Sequence, residues 1–158
     1  MSNSRLPIAL TGVVLVLVLV SCSKDPQAQY KFHMSRADKY VQQNKLPEAL
    51  VEYASAIKAD GKSSDAQFRL GMIALRLRQY QRAYQALSKA VELDPNNMEA
   101  RARLAELFAE ARSYDRAEKE VQVILDHDPS SAVGHRLMGM INLARNKPQE
   151  AVAEFIPN

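Results

Sequence analysis

The chain has 158 residues, 47% hydrophobic and 25% charged, with 7 Pro, 5 Gly and no Trp, which is the length of one domain and an ordinary soluble composition outside its first stretch. Its formal charge of +3 falls to +2 without the first 21 residues, which hold Arg5 and no acid, and acids and bases are interleaved along the chain; nucleic acid is not the expected partner. A single cysteine excludes an intramolecular disulfide.

Residues 1–21 differ from the rest: a short polar start with Arg5, then an apolar run from Leu6 to Val20, unbroken from Val13 onward, then Ser21. This pattern predicts an export signal. The run of 15 residues is shorter than the roughly 20 that span a bilayer as a helix, which favours a signal over the alternative of a permanent anchor. Leu19-Val20-Ser21-Cys22 resembles the lipobox of bacterial lipoproteins. That resemblance implies cleavage before Cys22 and its acylation, with several chains supplying a stable membrane attachment; the alternative is an inert Cys22 lost on cleavage further downstream. Ser23 in place of Asp resembles the pattern that directs lipoproteins of two-membrane bacteria to the outer membrane, facing the periplasm. Residues 22–29, polar and containing Pro26, are expected to form a short tether from the lipidated cysteine to the fold.

From Tyr30 onward apolar residues recur at helical spacing, as in Phe68, Met72 and Leu75, and no alternating strand pattern occurs. The predicted helices are 28–43 and 47–59, 65–78 and 81–93, 98–112 and 115–127, 132–145 and 148–156. Asp60-Gly61, Asp94-Pro95-Asn96-Asn97 and Asp128-Pro129-Ser130-Ser131 end successive pairs and offer Ser or Asn to cap the next helix. Pro47 and Pro148 fall near helix starts, where a missing N–H is harmless.

The pairs repeat. Ala49, Ala83, Ala117 and Ala151 stand 34 residues apart, as do Ala37, Gly71, Ala105 and Gly139, and Tyr53, Leu87, Val121 and Phe155. Small residues recur where two backbones approach and bulky ones where gaps are filled, so the columns describe packing. With Leu70-Gly71 early in the unit, Tyr80 or Tyr114 at the turn, then Ala83 or Ala117, and Asp-Pro closing it, the units resemble tetratricopeptide repeats. The resemblance implies an all-α solenoid of antiparallel helix pairs over 30–158, with repeats at about 30–63, 64–97, 98–131 and an incomplete 132–158. The first unit departs most, with Arg36 where Leu is usual and Gly61 in place of Pro.

A lipobox joined to such repeats is similar to bacterial envelope lipoproteins of this class, among them those of exosortase and exopolysaccharide systems and the pilotins of type IV pili. The expected function is therefore a non-catalytic, lipid-anchored scaffold for protein–protein interaction in secretion, pilus or exopolysaccharide assembly. The alternative is that the chain is the front of a longer protein that extends the solenoid or carries a catalytic part. No Ser-His-Asp set, Cys-x-x-Cys or phosphate loop offers catalysis, and no cofactor is expected. His127 and His135, eight apart beside Asp126 and Asp128, fall on different helices, which disfavours a metal site, and His33 takes a packing position.

In arrays of this family the first helix of each pair lines the concave face. Carried over, this places Met34, Asp38 and Val41; Phe68, Met72, Leu75 and Arg76; Glu99, Ala102, Glu106 and Glu110; and Arg136, Met140 and Leu143 there, a mixed surface of Met and Leu around acids. It suits an envelope protein or peptide as partner; individually, the same apolar residues could pack and Arg103 could pair with Glu99 and Glu106. Repeat domains that clamp chaperone C-termini use Lys and Asn where this chain has Met34 and Asp38, so that specialisation is not expected. Arg76, Arg78 and Arg82 could meet an acidic partner or lipid headgroups, or be solvated turn residues. An apolar side around Met138, Ile141 and Phe155 in the last unit is expected to be exposed and to favour self-association through the C-terminal repeat.

Overall fold

A computed structural model describes residues 25–155. The expected export signal at 1–21 and the acylation site Cys22 lie outside the described residues. Within them the chain is helical, without strands: α1 (Pro26–Gln42), α2 (Leu46–Ala59), α3 (Ser64–Arg76), α4 (Tyr80–Leu93), α5 (Met98–Glu110), α6 (Tyr114–His127), α7 (Ala132–Ala144) and α8 (Pro148–Phe155). Each odd-numbered helix packs antiparallel on the even one after it, and each pair packs on the next. The start differs from the expected tether: Asp25 caps α1 by accepting from the Gln27 N–H, and Pro26 opens the helix, so residues 26–29 form its first turn.

The breaks between pairs follow from capping. Ser63, Asn97 and Ser131 accept from the backbone N–H of Ala66, Ala100 and Gly134, and the preceding Asp60, Asp94 and Asp128 carboxylates accept from turn N–H groups two residues on. Within pairs the first helix stops one or two residues earlier than the apolar pattern predicts, because the chain turns left-handed at Asn44, Arg78, Arg112 and Asn146 (φ 56 to 62). There the N–H of Lys45, Gln79, Ser113 and Lys147 reaches back to the carbonyl of Tyr40, Ala74, Phe108 and Asn142, closing the helix end with paired bonds.

The small-residue columns lie at the close approaches within pairs. A Cβ on Gly71 would stand 2.7 Å from Leu87 Cγ, and one on Gly139 would enter the Phe155 ring at 2.5 Å. Two core clusters form, one from α1 to α4 and one from α4 to α7, and Leu75 and Leu107 touch both, so the core runs on down the solenoid. That continuity corrects one expectation. Met138 and Ile141 are 8% and 1% exposed, because both pack into the second cluster. The apolar exposure of the last pair lies instead at Val133, Met140, Leu143 and Val152, together with the outer side of Phe155.

Candidate functional site

The odd-numbered helices follow one another along one face, and three depressions open between them in succession. The first, of 630 Å³, lies between α1 and α3 and is bordered by Met34, Asp38, Asp65 and Arg69. The second, of 260 Å³, lies between α3 and α5 beside Leu75, Arg76, Glu106 and Glu110. The third, of 390 Å³, lies between α5 and α7 beside Glu99, Ala102, Glu106 and Arg136. Met34, Asp38, Leu75, Arg76, Glu106, Glu110 and Arg136, all expected on the first helices, thus border these three depressions.

Their surroundings differ from a bare ligand surface. Asp38 accepts from the Tyr53 hydroxyl at 2.6 Å and from Arg69 at 3.0 Å, and Arg69 also donates to Asp65 at 2.9 Å. Burial, with the bond to Asp38 added, pushes the Tyr53 phenol up to about 12, and the bond to Asp65 leads in holding Arg69 well above its ordinary range. Asp38 therefore couples the first repeat to the second before it meets any ligand. Phe68 is half-buried against the second core cluster and Met72 is partly covered, so both lean toward packing. Arg76 donates to Asn44 at 3.0 Å.

In the middle of the groove Glu106 takes both Arg103 at 2.9 Å and Arg136 at 3.3 Å, bridging the third and fourth repeats. Arg103 pairs with Glu106 and not with Glu99; its Nε is the buried side-chain donor left without an acceptor among the described residues. Glu99 and Glu110 are exposed and carry no ion pair among the described residues, so they are the acids free to meet a partner. Met140 and Leu143, 48% and 52% exposed, extend the apolar surface along α7.

Sequence reasoning missed the ion pairs that join one repeat to another across about 30 positions: Arg69 with Asp38, Arg136 with Glu106, and Arg145 with Asp115 and Glu118. The signal lies in the repeat itself, since a place on one helix faces the same place on the next pair. A second column also went unread. His33, Arg101 and His135 each pair with the acid 19 residues on, Glu52, Glu120 and Glu154, at 2.7, 2.8 and 2.7 Å. The His135 Nε2 additionally faces the Pro129 carbonyl at 2.9 Å, so both ring nitrogens have acceptors, and the Glu154 bond leads in raising its pKa above the ordinary histidine value. This pair ties the short α8 to α7.

Two family models, each described as tetratricopeptide repeat, match residues 34–97 and 74–141. No curated protein matches the chain by sequence. Among solved structures, it is similar to MamA from Desulfovibrio magneticus, at 17% identity over 80% of this chain and 71% of that one, with a TM-score of 0.73. A tetratricopeptide repeat protein from Parabacteroides merdae is 21% identical over 80% of this chain and 49% of its own, with a TM-score of 0.76. The second such domain of human RPAP3, solved in complex with an HSP70 peptide, is 20% identical over 74% of this chain and 98% of its own, with a TM-score of 0.68. Identities this low speak for the fold, and the fold agrees with the two sequence matches: the chain belongs to the tetratricopeptide-repeat proteins.

Proposed function

We propose that this protein is a non-covalent scaffold that holds a segment of a partner protein along the groove of α1, α3, α5 and α7. The observation that carries the reading is the run of three depressions between successive odd-numbered helices, each joining apolar side chains to charged ones. An extended or helical segment fits such a run, with backbone and charged groups at Glu99 and Glu110 and apolar side chains against Met140 and Leu143. The peptide held by the similar human RPAP3 domain supports the same mode. The lipobox-like Leu19-Val20-Ser21-Cys22 supports a bacterial envelope setting in which acylated Cys22 keeps the scaffold at a membrane, the outer membrane where Ser23 follows the cysteine, in secretion, pilus or exopolysaccharide assembly.

Site-specific photo-crosslinking in cells tests the groove. A benzophenone side chain at Met34, Glu110 or Met140 should give a discrete adduct, and one at the exposed Val51 of α2 should not. Adducts from Val51 with none from the three groove positions would overturn the assignment. Intact-mass analysis tests the anchor: the mature chain should begin at an acylated Cys22, and Cys22→Ala should remain unprocessed.

A further inference from the structure

Where side chains of α4 and α6 meet over Phe108 of α5, their seam carries a feature the repeat pattern does not supply. Tyr84 and Phe108 face each other with ring centroids 5.8 Å apart. The Arg116 guanidinium lies 3.9 Å from the Phe108 centroid and 5.4 Å from that of Tyr84, and its Nη2 donates to the Tyr84 hydroxyl at 3.0 Å. Two depressions of 310 and 280 Å³ flank this stacked arginine, and Tyr84, Phe108 and Arg116 border both. One repeat earlier the same places hold Leu50, Ala74 and Arg82, and one repeat later Glu118, Asn142 and Glu150, so the feature is particular to this junction.

The charges around it do not cancel. Arg116 has no carboxylate partner among the described residues, and neither has Lys119 on the rim; Glu120, the acid on the border, is already held by Arg101 at 2.8 Å. Stacking fixes the guanidinium plane while the donors not used on Tyr84 stay available for a carboxylate.

We infer that the α4–α6 seam is a second docking site, which takes an acidic segment of a partner protein, its carboxylate against Arg116 and Lys119 and its neighbouring apolar side chains in the two depressions. A planar lipid surface suits this site poorly, since the aromatic floor lies in a seam between helices and Phe108 is 8% exposed. The acids of this chain's own turns suit it no better, because Asp60, Asp94 and Asp128 are bonded to their own turn N–H groups. Arg116 and Lys119 border none of the three groove depressions, so the test through them is independent of the groove reading.

The probe is a fluorescein-labelled peptide in which acidic residues alternate with Leu and Phe, with a control carrying Lys for each acid, titrated by anisotropy against the full chain. The acidic peptide should bind and the control should not. Arg116→Gln should weaken binding at least about tenfold, as loss of a hydrogen bond to a charged group does. Lys119→Glu, at an exposed position outside the aromatic stack, should do the same and separates recognition from folding. A benzophenone side chain at Ser88 should crosslink to the peptide, and one at Met140 should not. Equal binding of the two peptides, unchanged binding by Lys119→Glu, or crosslinking from Met140 alone would overturn the proposal. So would binding to phosphatidylglycerol vesicles in place of the peptide, or a concentration-dependent dimer abolished by Lys119→Glu, which would assign the seam to lipid or to a second copy.

Discussion

The contact between Gly71 and Leu87 is the sharpest place to test whether the repeat columns are packing constraints. A methyl group on Gly71 would lie 2.7 Å from Leu87 Cγ and 2.9 Å from Cδ2, and Leu87 is wholly buried. One repeat on, the same two places hold Ala105 and Val121, both buried, with Ala in the place of Gly on the first helix and Val in the place of Leu on the second. Gly71→Ala gains about 1 kcal/mol of helix propensity and loses about 1–3 kcal/mol to overpacking, a net loss of up to about 2 kcal/mol. Leu87→Val removes one buried methylene and loses about 1 kcal/mol. In the double variant the clash is relieved as it is at Ala105 and Val121, so the propensity gain and the methylene loss of about 1 kcal/mol each nearly cancel. The two changes should therefore couple favourably by about 1–3 kcal/mol in a double-mutant cycle followed by urea unfolding and helical circular dichroism. Additivity within about 0.5 kcal/mol would show that the glycine reflects something other than its contact with Leu87.

Arg112 turns left-handed at φ 57, a conformation worth about 1–2 kcal/mol of strain outside glycine; Arg112→Gly, after the greater chain entropy of glycine, should stabilise by about 0.5–1 kcal/mol and raise the melting temperature. Asn97→Ala removes both the cap on Ala100 and the bond to Ser64, and should lower stability by about 1 kcal/mol in denaturant titration. His135 should titrate above the ordinary histidine range in proton NMR and return toward it in Glu154→Gln. Because the raised value belongs to the folded state, its contribution to holding α8 is fully present below the unfolded histidine value of about 6.5 and is lost as pH rises through the folded one; pH-independent exchange protection of α8 would contradict this. Sedimentation of the full chain should show self-association that Met140→Glu with Leu143→Glu reduces, since the apolar exposure of the last pair is there.

The 34-residue step carries the helix order, the pairing and the helix starts to within two residues, because one packing solution repeated four times writes the same size constraint at the same place each time: Gly71 over Leu87, Gly139 over Phe155. Asn97 and Ser131 were legible as caps for the same reason, since a cap is satisfied by the backbone three residues away. The family resemblance puts Met34, Glu106, Glu110 and Arg136 on the first helices of their pairs, and in the structure they border the depressions between those helices. What it could not say is how far each residue on that face is already occupied. Asp38 is engaged by Tyr53 and Arg69, Glu106 by Arg103 and Arg136, and Met138 and Ile141 are covered rather than exposed. Each of these depends on the angle at which one pair stacks on the next, a property of the assembled solenoid that no single repeat encodes. The stacked Arg116 arises the same way: Tyr84, Phe108 and Arg116 stand at unrelated places in two units and meet only when α4, α5 and α6 close together.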